Sequence, residues 1–320
     1  MRAHKSISVF CLRVFALMAT ALAASAQPYG YVSNEMGDNI SVVNMATNTI
    51  SAEINLSTAL SGLAVTPNGS YLYVAEESLN SVAVVSTVSN SVVATIPVGS
   101  APIQVAITPN GQTVYVANSQ SNDVSAINTA TNTVVETIPV GTKPVALAVL
   151  PGGGYVLVAN LLSSNISVIS TSSNSVRATW TTLSGPSAIV VGPKGGTAYV
   201  ANQYADSVAV HHVATGAIVE TFTGFVAPDS LALNPTGTIL YVVNANASTV
   251  SVVSTSTGLT VAIIPVGDLP TAVAVSANGL SAYVTNAYGY SLSEIDTATN
   301  LVVNTLVHVG IYPFSIVLYQ

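Results

Sequence analysis

Tyr115-Val116-Ala117-Asn118 has a counterpart every 42 residues: Tyr31 to Asn34, Tyr73 to Glu76, Leu157 to Asn160, Tyr199 to Asn202, Tyr241 to Asn244 and Tyr283 to Asn286. The turns Pro67-Asn68-Gly69, Pro109-Asn110-Gly111, Pro151-Gly152-Gly153, Pro193-Lys194-Gly195, Pro235-Thr236-Gly237 and Ala277-Asn278-Gly279 keep the same step. A unit of this length with several short apolar runs cannot bury its own hydrophobic face and must pack on copies of itself. Within one copy, Pro102 to Thr108, Thr113 to Asn118, Val124 to Ile127 and Thr133 to Ile138 are short β-branched runs between turn residues. They read as four antiparallel strands. The turn before the fourth strand carries Asn48, Asn90, Asn132, Asn174 and Asn300, with Gly216 and Gly258 in the same place, which predicts a positive φ there.

Four strands per unit, seven units and no helical periodicity predict an all-β, seven-bladed propeller. An open solenoid would need polar caps at its ends, and the sequence shows none. The first copy begins on the Tyr-Val strand, and the chain finishes on Phe314-Ser315-Ile316-Val317-Leu318, a copy of the strand that precedes it. The C-terminal strand is therefore expected to complete the blade begun at the N-terminus, closing the ring and removing its edges.

Residues 1–26 stand outside the repeat. Arg2, Lys5 and Arg13 precede an apolar stretch from Val14 to Ala23, followed by Ala24-Ser25-Ala26, the pattern of a cleaved export signal. Residues 27–320 then form the propeller domain, 294 residues or seven times 42. Export to the periplasm, the exterior or the cell surface is the expectation. No later apolar run approaches the ~18 residues needed to span a bilayer. The one cysteine, Cys11, lies inside the signal, so disulfides are not expected to staple the domain. After the signal, Lys143, Arg177 and Lys194 face thirteen Asp and Glu, a net charge near −10, which disfavours nucleic acid as a partner. A monomer is expected.

Tyr-Val-Ala-Asn, Val-Ser-Val-Ile, Asn-Thr-Val-Val-Glu-Thr-Ile-Pro-Val-Gly and Pro-Asn-Gly together resemble the YVTN β-propeller repeat family, over residues 29–320. That resemblance implies a propeller of secreted, periplasmic or surface-layer proteins, a family most of whose members have no established activity. More distant propeller relatives include lactonases, streptogramin-type lyases and cofactor-dependent oxidoreductases.

Residues that obey the repeat are explained by packing, so functional groups are sought among the deviations. Six tyrosines at the first position of the Tyr-Val-x-Asn unit, with Tyr29, Tyr71 and Tyr155 two residues earlier, are assigned to blade packing. One end of the ring holds the near-constant turns. The other holds loops that differ between copies, with the acids Glu35, Asp38, Glu76, Glu77, Asp123, Asp206, Asp229 and Asp268. Candidate ligand-binding residues on that face are Glu35, Asp38, Glu76, Glu77, Asp123, Lys143, Tyr204, Asp206, Tyr288, Tyr290, His308 and Tyr312. Glu76 replaces an Asn expected to hold the following loop through backbone hydrogen bonds. His308 sits in a final turn one residue longer than the others, which suggests a bulge. Neither a metal-binding spacing nor a dense Asp-x-Asp-x-Asp loop is present; no cofactor is predicted, and a bound cation is compatible with the acids but not indicated.

These features lead to the expectation of a non-catalytic binding or interaction module contacting an unidentified ligand or protein at one mouth of the ring. A lactonase-like or lyase-like enzyme and a structural surface-layer component are the alternatives. The enzyme alternative requires Glu76, Glu77, Asp123 or Asp206 to converge with His308 at the channel mouth.

Overall fold

The computed structural model describes residues 29–56 and 58–319. The expected signal segment, residues 1–26, lies outside them. Seven four-stranded antiparallel sheets are arranged as blades. Blade I comprises Pro313–Tyr319, Tyr29–Asn34, Asn39–Asn44 and Thr49–Asn55, from the channel outward. Blades II to VII follow in order over residues 60–97, 102–139, 144–181, 186–223, 228–265 and 270–307. Each inner strand packs beside the next, and Pro313–Tyr319 touches the inner strands of both blade VII and blade II, so the ring is closed. The closing strand pairs in register with the first, Tyr31 opposite Val317 and Val32 opposite Ile316.

Burial explains the strand types. The Tyr-Val-x-Asn strands are covered on both faces because neighbouring blades sandwich them, as in the buried run Val114 to Asn118. The outermost strands alternate exposed and buried residues or lie open, as in Thr133–Pro139. Seven apolar clusters fill the blade interfaces. One joins Ile40 and Ile54 of blade I to Leu63 and Leu72 of blade II, and the last joins Tyr283 and Leu292 of blade VII to Val32 and Ile316 of blade I.

The turn residues behave as their identities require: Asn48, Asn90, Asn132, Asn174 and Asn300 have φ between 47° and 55°, and Gly216 and Gly258 have φ of 73° and 67°. Tyr73 and Tyr115 donate their hydroxyls to Asn132 and Asn174 of the following blade at 2.8 and 2.6 Å. These two tyrosines thus tie their blades to the next one's turn, whereas Tyr283 donates to Glu294 of its own blade. Of the second tyrosine set, Tyr29 and Tyr155 pack on blade cores, but Tyr71, at the same repeat position, is 42% exposed.

Candidate functional site

Every inner strand begins with the same irregularity. Pro102 lies opposite Asn118 and Gln104 opposite Ala117, so Ile103 is skipped. The same shift skips Val145, Ser187, Asp229, Thr271 and Phe314, and blade II has a wider one spanning Ser61 and Gly62. A bulge frees a residue from the ladder and re-aims its side chain. Here the released side chains of Ile103, Val145, Ser187, Asp229, Thr271 and Phe314 all line a cavity of about 310 Å³ in the channel at the variable end.

Hydroxyls and a carboxylate are confined to one side of this cavity. Blades III and IV contribute Ile103, Val145, Leu147 and Leu161, with Gln104, while blades V to VII and the closing strand contribute Ser187, Asp229, Ser230, Thr271 and Ser315 among the apolar Ile189, Leu231 and Phe314. Lys143 stands at the edge, as does Gln203. Two side grooves open from it. One passes Ile103 and Lys143 to reach Glu77, Asn122 and Leu162; the other passes Gln203 and Asp229 to reach Tyr204 and Asp206.

Asp229 is the one ionisable group among the bulged residues. No protein group among the described residues hydrogen-bonds its carboxylate, and burial in the channel wall pushes its pKa from 3.8 up to about 6. The peptide that carries it is held from the neighbouring blade, where Ser187 donates its hydroxyl to the Pro228 carbonyl at 2.7 Å. Thr271 does the same for Pro313 at 2.9 Å. Those two hydroxyls are spent on structure. Ser230 accepts from the Val273 amide, and among the described residues neither its proton nor that of Ser315 goes to a protein acceptor, so both can be given to a ligand.

The rim above the cavity is acidic. Burial, then the neighbouring Glu77, raises the pKa of Glu35. Burial, then Glu35, Tyr288 and Asp229, raises that of Tyr312. Tyr312 meets Tyr288 edge to face, with ring centroids 5.6 Å apart. Glu77 accepts a hydrogen bond from Ser61 at 3.2 Å. The structure therefore brings Glu35, Glu77, Tyr288 and Tyr312 to the mouth, with Lys143.

The other candidates from the sequence have local duties. Glu76 is buried in blade II and accepts the Ser81 hydroxyl at 2.7 Å. Five of its six Asn counterparts donate to side chains of the following strand rather than making only the expected backbone bonds; Asn202 donates to the Val200 carbonyl. Asn118, for example, donates to Asp123 and Ser125. That bond also assigns Asp123 to the turn. Asp38, Asp206 and Tyr290 share one left-handed turn position with Asn80, Asn122, Ser164 and Ser248, at φ of 47° to 60°. Its side chain recurrently receives the amide of the residue before the next inner-strand proline, as Asp206 does from Ala227 at 2.8 Å. The loops that differ in sequence thus share a fold. Tyr204 lies along the side groove.

His308 takes φ of 59° at the end of the outermost strand of blade VII and is exposed, lining neither the channel nor its grooves. The extra residue adjusts ring closure. Glu76, Asp123, Asp206 and His308 do not converge at the channel mouth, and Glu77 alone of the expected set reaches it, so the site expected for the enzyme alternative is not formed by these residues and a catalytic group has to be sought on the channel wall instead. Asp229 was visible in the sequence as an acid at that end, but not as a channel group. The signal was the register of residues after the inner-strand opening: Ser61, Ile103, Val145, Ser187, Asp229, Thr271 and Phe314. Among the described residues, no cluster of three or more His, Asp or Glu is placed to hold a metal ion.

The fold is shared with solved structures. Kuenenia stuttgartiensis hydrazine synthase superposes with a TM-score of 0.78 at 22% identity, covering 84% of this chain and 92% of that one. A functionally unknown protein from Desulfotomaculum acetoxidans DSM 771 gives 0.81 at 18% identity, covering 91% and 99%. A proposed 6-phosphogluconolactonase from Bacteroides fragilis NCTC 9343 gives 0.78 at 16% identity, covering 93% and 99%. No curated protein matches the sequence. The family model described as "Lactonase, 7-bladed beta-propeller" matches residues 21–135 and 171–276. That match overturns the expectation of a non-catalytic binding module and favours the lactonase-like alternative; the deviations first sought on the loops had drawn attention away from the inner strands. With well over half of its length matched, and with seven closed blades, the chain belongs to the lactonase family of seven-bladed β-propellers.

Proposed function

We propose that this protein is a lactonase-like hydrolase that opens a cyclic ester at the variable mouth of its channel, with Asp229 as the general base. The observation that carries this reading is the unpaired Asp229 carboxylate on a bulge in the channel cavity. A base with a pKa near 6 is ionised at neutral pH yet still basic enough to take a proton from water.

In the proposed reaction, water bound to Asp229 attacks the lactone carbonyl. Its proton moves to the carboxylate while the carbonyl π electrons move to oxygen. The Lys143 ammonium and the hydroxyl protons of Ser230 and Ser315 are the positive groups available to that oxyanion. As the tetrahedral intermediate collapses, the acyl–oxygen bond breaks and Asp229 returns the proton to the ring oxygen. The product is a hydroxy acid, which ionises to a hydroxycarboxylate. Within the family we assign the chain to the YVTN-repeat type and to the exported proteins.

Two measurements test this. A panel of γ- and δ-lactones followed by proton release should reveal turnover by the wild type, and Asp229→Asn should lower kcat/KM by about 100-fold to 10,000-fold, the usual contribution of a general base. Equal turnover by the two proteins would end the assignment of Asp229. Export is checked by N-terminal sequencing of protein recovered outside the cytoplasm, with Gln27 expected first.

A further inference from the structure

Building on the lactonase reading, we propose that the site takes an uncharged lactone carrying an apolar substituent, with the ring against the Asp229 arc and the substituent against blades III and IV. Charge supplies the first reason. A phosphorylated sugar lactone would bring nearly two negative charges to a mouth that already holds Glu35, Glu77 and Asp229. Lys143 is the one Lys or Arg of the described residues at this mouth. Arg177 is on the outermost strand of blade IV and Lys194 is in a turn at the opposite end of the ring. No bidentate Arg fork is available to replace the solvation of a phosphate.

Confinement in the channel strengthens this bias, because a cleft that holds charge of one sign concentrates field lines. The same field assists turnover: a neutral substrate enters without penalty, whereas the hydroxycarboxylate product is repelled by the carboxylates around it.

The second reason is the division of the wall. Ile103, Val145, Leu147 and Leu161 make the side formed by blades III and IV mainly apolar, broken by Gln104 and extended along the side groove by Leu162, which is 59% exposed. The hydroxyls lie on the opposite arc. A polyhydroxylated ring would leave its hydroxyls unpaired against Ile103 and Val145. An alkyl or acyl chain would instead cover that surface.

The test uses δ-valerolactones with substituents from methyl to hexyl, set against δ-lactones bearing a phosphate or a carboxylate. Expected are kcat/KM values that rise with alkyl length and exceed those of the anionic rings by about 100-fold at low salt, a gap narrowed by added salt. Val145→Asn should flatten the chain-length series, and Glu35→Gln with Glu77→Gln should raise turnover of the phosphorylated ring.

Binding of the corresponding lactams, followed by calorimetry, separates this inference from hydrolysis. Preferential binding of the hexyl lactam without lactone turnover would sustain the substrate class and sink the hydrolase. Turnover of the phosphorylated lactone equal to or better than that of the hexyl compound would overturn the substrate class and leave the hydrolase standing. Failure of both neutral and anionic lactams to bind would also overturn it.

Discussion

Asp229 pairs a functional gain with a cost in stability. Its folded pKa, about 6, lies above the ordinary 3.8. Between these values the folded protein holds a proton that the unfolded chain has released, so stability falls as pH rises. The favourable contribution is complete below about pH 4 and is lost through pH 6, with an upper bound of roughly 3 kcal/mol for a displacement of about two pH units. Asp229→Asn removes the charge, so at pH 8 it should unfold at a higher temperature than the wild type, the difference vanishing near pH 4. Thermal denaturation at the two pH values checks this, and a variant less stable at pH 8 would contradict it. Over the same range the wild-type kcat/KM should climb with pH to a plateau above pH 6, because only the ionised carboxylate can accept a proton. The sequence made Glu76 the more conspicuous deviation, yet Glu76 is matched by its own neighbour, Ser81. Departure from a repeat therefore does not mark function when the local partner still accommodates the new side chain.

At the level of elements, two repeated devices divide the work. The opening bulge of each inner strand supplies the channel wall, and the tyrosine to asparagine bond ties blade to blade. Tyr115 is fully buried, and burial raises its pKa to about 12, so it stays a hydroxyl donor to Asn174. Tyr115→Phe would leave the Asn174 carbonyl without that partner and should cost about 1–3 kcal/mol, measured by urea denaturation, with lactone turnover unchanged. A loss of turnover in that variant would show that blade packing controls the mouth. The strands, their turns and the positive φ at Asn132 were legible because each is a local consequence of residue type. The bulges were not, since skipping Asp229 depends on pairing with Asn244 and Val243 across the hairpin. The common turn position of Asp38, Asp206 and Tyr290 was hidden for a related reason: it is defined by backbone geometry, which tolerates unlike side chains.

For the whole molecule, closure is the decisive contact. Pro313–Tyr319 supplies the fourth strand of blade I, contributes Ile316 to the last interface and lines the channel with Phe314 and Ser315. Deleting residues 313–320 should expose the edge of Tyr29–Asn34 and open two apolar interfaces, giving a protein without cooperative thermal unfolding and prone to association. Circular dichroism and size-exclusion chromatography would report it, and an unchanged melting temperature would refute the latch. The 42-residue period alone determined the number of blades, their four strands and this closure, because identical units that cannot bury themselves must stack, and seven of them complete a ring. Only the tertiary structure decided which acid faces the channel. Neighbours in a propeller wall come from strands about 42 residues apart and are aimed by bulges, so Ser187 with Asp229, and Glu35 with Glu77, become one site only when the ring has closed.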